Sequence, residues 1–148
     1  MPAPIGKKDR MMSFWSERAR LHGIDPRANT NDVWLREVEI AYVDKTIREN
    51  SFRRIMDFGC ANGFSTARLA RSNQTSQFLG IDINSDMISA AKGQLEQESV
   101  ANLEFKQIDV LREPIRDRFD FIYGIRVFQK IESQDMQKKD FRQAIRTA

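Results

Sequence analysis

The first twelve residues are polar and proline-containing and are expected to be loose, and a regular alternation of apolar and polar positions sets in only after them. Phe14 to Leu21 has helical spacing, and Gly23 with Asp25-Pro26 marks a turn. Thr30-Asn31-Asp32 puts helix-capping side chains ahead of a long segment that ends near Asn50. Within it Trp34, Leu35, Val38, Ala41 and Tyr42 recur at helical intervals, which predicts one broad apolar face.

From Phe52 onward the pattern becomes an alternation of strands and helices. Arg54 to Phe58 reads as a strand closed by Gly59, and Phe64 to Arg71 as a helix. Gln77 to Asp82 reads as a second strand, followed by a helix capped at Asn84-Ser85-Asp86 with Met87, Ile88, Ala91 and Leu95 on one face. Leu103 to Ile108 and Phe119 to Ile125 read as two more strands, and Ser133 to Ala148 as a helix carrying Met136, Phe141 and Ile145. Such alternation predicts an α/β fold with a mostly parallel sheet and helices packed on its faces. The expected division is a helical extension or lid over residues 1–50 and an α/β unit over 51–148.

Composition narrows the class without naming a chemistry. The 148 residues, 41% hydrophobic and 30% charged, suit one globular domain. One cysteine, Cys60, and one histidine, His22, cannot supply the four nitrogen or sulfur ligands of a structural zinc site, so no metal is expected. His22 is remote in sequence from every strand end, which leaves little case for catalysis. No apolar run long enough for a membrane span or a secretory signal is visible, and a cytoplasmic location is expected. The net charge of +3 is too mild to indicate nucleic acid, and Arg112, Arg116 and Arg118 are diluted by Glu113 and Asp117.

Open parallel sheets bind ligands beyond the carboxyl ends of their strands. The first such end is Asp57-Phe58-Gly59-Cys60-Ala61-Asn62-Gly63. Glycines there permit a sharp turn and close approach of a ligand to the backbone. A pyrophosphate site prefers Gly-x-Gly-x-x-Gly, whereas this loop begins with a carboxylate, which suits an ammonium better than a phosphate. An ordinary strand–helix turn is the plain alternative. The second end, Asp82-Ile83, places an acid 25 residues after Asp57, near the separation expected for a carboxylate that grips ribose hydroxyls. The third, Asp109-Val110, adds another acid, and the fourth is Gly124-Ile125-Arg126. Three acids at three successive strand ends support one another more than any supports itself.

The run Ile55-Met56-Asp57-Phe58-Gly59-Cys60-Ala61-Asn62-Gly63 resembles motif I of the class I S-adenosylmethionine-dependent methyltransferases, with Ala61 where a middle glycine is usual. That resemblance implies a Rossmann-like three-layer sandwich and S-adenosylmethionine, or its product S-adenosylhomocysteine, as the bound nucleoside. It implies that Asp57, Gly59, Cys60, Ala61 and Gly63 form the first part of the cofactor site. Asp82 then takes the ribose, Ile83 the adenine, Met87 the adenine or ribose, and Asp109 the adenine amine beside the Val110 N–H. Gly124 and Ile125 border the methionine end, and Arg126 meets a substrate anion or the cofactor carboxylate, with a solvated or helix-capping arginine as the plain alternative. Arg126 to Ile131 is similar to a subgroup with Arg-x-Leu-Ile-Asn-Leu but departs from it at Gln129 and Lys130. Arg36 and Trp34 are candidates for a lid.

The family usually has seven strands, and four are legible here, so the resemblance implies about half of a domain. A fragment, or a homodimer or other chain covering the open edge of the fourth strand, is expected. The acceptor stays open among glycan, lipid, small metabolite and protein. Two other readings also stay open: a non-catalytic module that keeps the pocket, and a fragment of a nicotinamide-dependent dehydrogenase.

Overall fold

The computed structural model describes residues 4–110 and 112–127. Two helices, α1 (Lys7–His22) and α2 (Val33–Asn50), precede the sheet, with a short 3-10 turn, Pro26–Ala28, between them. There follow β1 (Arg54–Phe58), α3 (Phe64–Ser72), β2 (Gln77–Asp82), α4 (Ser85–Gln97), β3 (Leu103–Gln107) and β4 (Phe121–Tyr123). The four strands are parallel, in the order β3-β2-β1-β4. β1 and β2 have the bounds the sequence predicts, while β3 and β4 are shorter. The predicted helix over residues 133–148 lies outside the described residues.

Strand alternation sends Ile55 and Met56 to opposite faces. On one face Ile55, Phe78, Leu103 and Phe105 pack with Ile40, Val43 and Ile47 of α2 and with residues of α3 and α4. On the other, Met56, Phe58, Leu79 and Ile81 are covered by Ile108, Val110, Ile115 and Phe119. Asp120 locks the start of the sheet, its two carboxylate oxygens each accepting a backbone N–H, from Arg53 and Arg54, at 2.8 Å.

Two expectations about the N-terminal region need correction. Helix α1 begins at Lys7, so residues 7–12 are helical rather than loose. In α2 the packed face is Arg36, Ile40, Val43 and Ile47, whereas Trp34 is 84% exposed and Leu35, Val38 and Tyr42 are exposed with it. Apolar residues lie on both sides of this helix, and packing against the sheet selects the side rich in β-branched residues. The cap is as predicted: the Asp32 carboxylate accepts the Leu35 N–H at 2.9 Å. No helix among the described residues is long and apolar enough to cross a membrane.

The N-terminal helices are tied to the strand ends by two buried asparagines. Asn62, in the first loop, donates to the carbonyls of Gly23 and Asp25 at 2.8 and 2.9 Å and accepts from Asn29 at 2.7 Å. Asn84 caps α4 and donates to Ser16 Oγ and the Met12 carbonyl on α1. Fully buried amides of this kind have their polar atoms matched because an unmatched one is costly. The result is that α1 roofs the carboxyl edge of the sheet.

Candidate functional site

A cavity of about 420 Å³ opens at that edge. Its walls come from every predicted strand end: Asp57, Gly59, Cys60 and Ala61 at the end of β1 and in the loop beyond it, Asp82 and Ile83 at the end of β2, Asp109 and Val110 after β3, and Ile125 after β4. Met87 of α4 also lines it, while packing against Ala19 and Ala28. α1 supplies the roof through Lys7, Lys8, Met11, Met12 and Trp15, and α2 contributes Arg36.

Asp57 lines the cavity from β1. It is 3% exposed, and its Oδ2 accepts hydrogen bonds from Thr66 Oγ1 at 2.7 Å and Tyr123 Oη at 2.9 Å. Burial pushes its pKa up to about 6, with the two hydroxyls and the Arg36 charge pulling against that rise. The Cys60 thiol is raised by its own burial and then by Asp57 and Asp82, so it is a neutral packing group and no nucleophile.

Asp82 organises the loops. Its Oδ2 accepts the Ala61 N–H and its Oδ1 the Asn84 N–H, both at 2.9 Å. Ala61 is held at φ +50°, the left-handed region that a glycine would enter at lower cost. Asp109 lies 3.5 Å from Lys8 Nζ and 3.7 Å from Arg112 Nε, so α1 brings a cation to the third acid.

Three site residues named from the sequence stand away from the cavity wall. Gly63 turns the chain at φ +76°, and the space a side chain would need is filled by the Phe105 ring. Its role is packing. Gly124 is not on the wall. Arg126 points away to α2 and the link before it: its Nε donates to Glu39 Oε1 at 2.6 Å and its Nη1 to Thr30 Oγ1 at 3.3 Å. Gly59 does line the cavity, yet one side of it is taken by Val127, which a Cβ would meet at 2.4 Å.

Arg36 and Trp34 part company, since Arg36 reaches the wall and Trp34 faces solvent. Arg36 is 5% exposed, and its Nε lies 3.7 Å from Glu39 Oε2. Burial pulls its guanidinium below the ordinary value, which Glu39 opposes. Arg36 Nε, Glu39 Oε2 and Arg126 Nη2 are all buried without a hydrogen-bond partner among the described residues. One carboxylate therefore lies between two guanidiniums beside the cavity, with a donor on each arginine and one oxygen of the carboxylate left unmatched.

The sequence predicts a lid over residues 1–50 but does not single out the α1 residues that form it, nor Thr66 and Tyr123. Met11, Met12, Trp15 and Ala19 do recur at helical spacing, a signal masked by the charged residues around them. Tyr123 could have been found from strand register, since it pairs with Asp57 and so shares its face.

Residues 49–147 match the family model described as a methyltransferase domain, well over half of the chain. The chain belongs to that family, and its fold is the Rossmann-like one of class I methyltransferases. It is 28% identical over 113 residues to a ubiquinone biosynthesis O-methyltransferase of Acinetobacter baylyi, covering 74% of this chain and 42% of that one. A fatty-acid O-methyltransferase of Mycolicibacterium smegmatis is 31% identical over 74 residues, covering 49% of this chain and 26% of that one. The chain thus spans less than half the length of these curated relatives. Among solved structures, the DhpI–SAH complex superposes with a TM-score of 0.67 at 15% identity, covering 91% of this chain and 62% of that one.

Proposed function

We propose that this chain carries the S-adenosylmethionine site of a methyltransferase and serves methyl transfer from that cofactor. The observation that carries the reading is one cavity lined by Arg36 and by acids at the ends of three adjacent strands, Asp57, Asp82 and Asp109. A zwitterionic amino acid needs both an anion and a cation, and a nucleoside needs acceptors for hydroxyls and an amine. The pocket supplies that set. A dinucleotide's pyrophosphate would instead lie against Asp57, where its charge is opposed.

In this reading Asp57 takes the cofactor's ammonium and Arg36 its carboxylate, which gives the guanidinium an acceptor it lacks. Asp82 takes the ribose hydroxyls, Asp109 and the Val110 N–H the adenine edge, and Ile83 with Met87 its faces. When bound, S-adenosylmethionine supplies a methyl group on a sulfonium that is already a good leaving group. The chain's own part is to orient that group and exclude water beneath Met11, Met12 and Trp15.

Asp82→Asn tests the ribose assignment. The amide keeps one acceptor oxygen but loses the charge, so S-adenosylhomocysteine should bind about tenfold more weakly in isothermal titration, or roughly 1.4 kcal/mol. Equal affinity in the two proteins would remove Asp82 from the site.

A further inference from the structure

Asp57 and Tyr123 are register partners on adjacent parallel strands, so their side chains leave the sheet on the same face. Thr66 descends to the same point from the first turn of α3. The two hydroxyls converge on a single oxygen, Asp57 Oδ2, at 2.7 and 2.9 Å. Oδ1 receives no hydrogen bond from a described residue, and Asp57 lines the cavity. Thr66 is fully buried and Tyr123 is 7% exposed, so little water competes for either hydroxyl. The Tyr123 hydroxyl is itself held well above its ordinary pKa by burial and by Asp57, and so it donates.

We propose that Tyr123 and Thr66 are positioning residues for the cofactor's ammonium: they grip Asp57 by Oδ2, keep it ionised in a dry site, and leave Oδ1 as the acceptor facing the ligand. This rests on the cofactor reading above. Every charged or titratable group around Asp57 enters the balance. Arg36 from α2 favours the anion, Asp82 at the end of β2 opposes it, and the Cys60 thiol in the loop is neutral. Arg126 adds positive charge behind Arg36. With burial pushing Asp57 up to about 6, its ionisation at neutral pH has a small margin. Loss of either hydroxyl removes a hydrogen bond to the charged form and moves the titration upward.

The direct test is the carboxyl carbon-13 titration of Asp57 in the ligand-free full chain. Tyr123→Phe keeps the ring, which stacks on Phe121 at 5.7 Å, and Thr66→Val keeps the shape of the side chain. Each should raise the midpoint by roughly one pH unit, and Thr66→Ser should restore it. S-adenosylhomocysteine titrated into Tyr123→Phe should then show a loss concentrated on the acid side, roughly fivefold at pH 6 and about twofold at pH 7. An unmoved midpoint in both Tyr123→Phe and Thr66→Val overturns the proposal. So does a raised midpoint with S-adenosylhomocysteine affinity unchanged across pH. A raised midpoint in a protein whose wild type binds no S-adenosylhomocysteine sinks the cofactor reading and leaves the coupling of hydroxyls to carboxylate standing.

Discussion

Arg36→Met should weaken S-adenosylhomocysteine binding by about 3 kcal/mol, roughly 150-fold, while changing stability by less than about 1 kcal/mol. The two effects separate because the guanidinium is poorly served in the ligand-free protein. It is buried, its Nε has no hydrogen-bond partner among the described residues, and Glu39 is shared with Arg126. Methionine fills a similar volume without a buried charge, and Glu39 keeps its 2.6 Å contact with Arg126. In the proposed pose the ligand carboxylate, by contrast, loses the one guanidinium that the described residues place on the cavity wall. Isothermal titration alongside thermal unfolding reads both quantities. A loss of stability with affinity intact would make Arg36 a structural residue.

Gly63→Ala should destabilise the fold by about 3 kcal/mol, lowering the melting temperature by roughly 10 °C. The backbone there has φ +76°, which alone costs an L residue about 1 kcal/mol or more. The new methyl group would lie 2.3 Å from Phe105 Cζ and 3.1 Å from the Ala91 Cβ. Phe105 is 2% exposed and wedged against Gly80 as well, so its ring has nowhere to retreat. A melting temperature within about 2 °C of wild type would show that the loop and ring readjust.

The contrast between these residues shows what the sequence could tell. Asp57, Asp82 and Asp109 were legible because a parallel sheet gathers its carboxyl ends along one rim, and this depends on strand order and direction alone. Gly63 was legible as a glycine that had to be a glycine, but its reason was misassigned. The closeness it permits is to Phe105, 42 residues later, and no local pattern foretells that partner. Arg126 looked like a pocket residue from its place after β4, yet a left-handed backbone at φ +57° turns it toward Glu39. The face of α2 was misread for a related reason. Ile40, Val43 and Ile47 compete with Trp34, Val38 and Tyr42 on equal local terms, and only the sheet beneath decides. A lid over residues 1–50 was expected, but the α1 residues that form the roof escaped because they are few and set among lysines and arginines.

The most direct test is an amide NMR titration of the full chain with S-adenosylhomocysteine. The geometry predicts saturable one-to-one shifts at Gly59, Ala61, Ile83 and Val110, on three strand ends, with the outward-facing Tyr42 unmoved. A spectrum that does not respond, or one whose changes cluster on the outer face of α2, would contradict a nucleoside bound across the rim of this sheet.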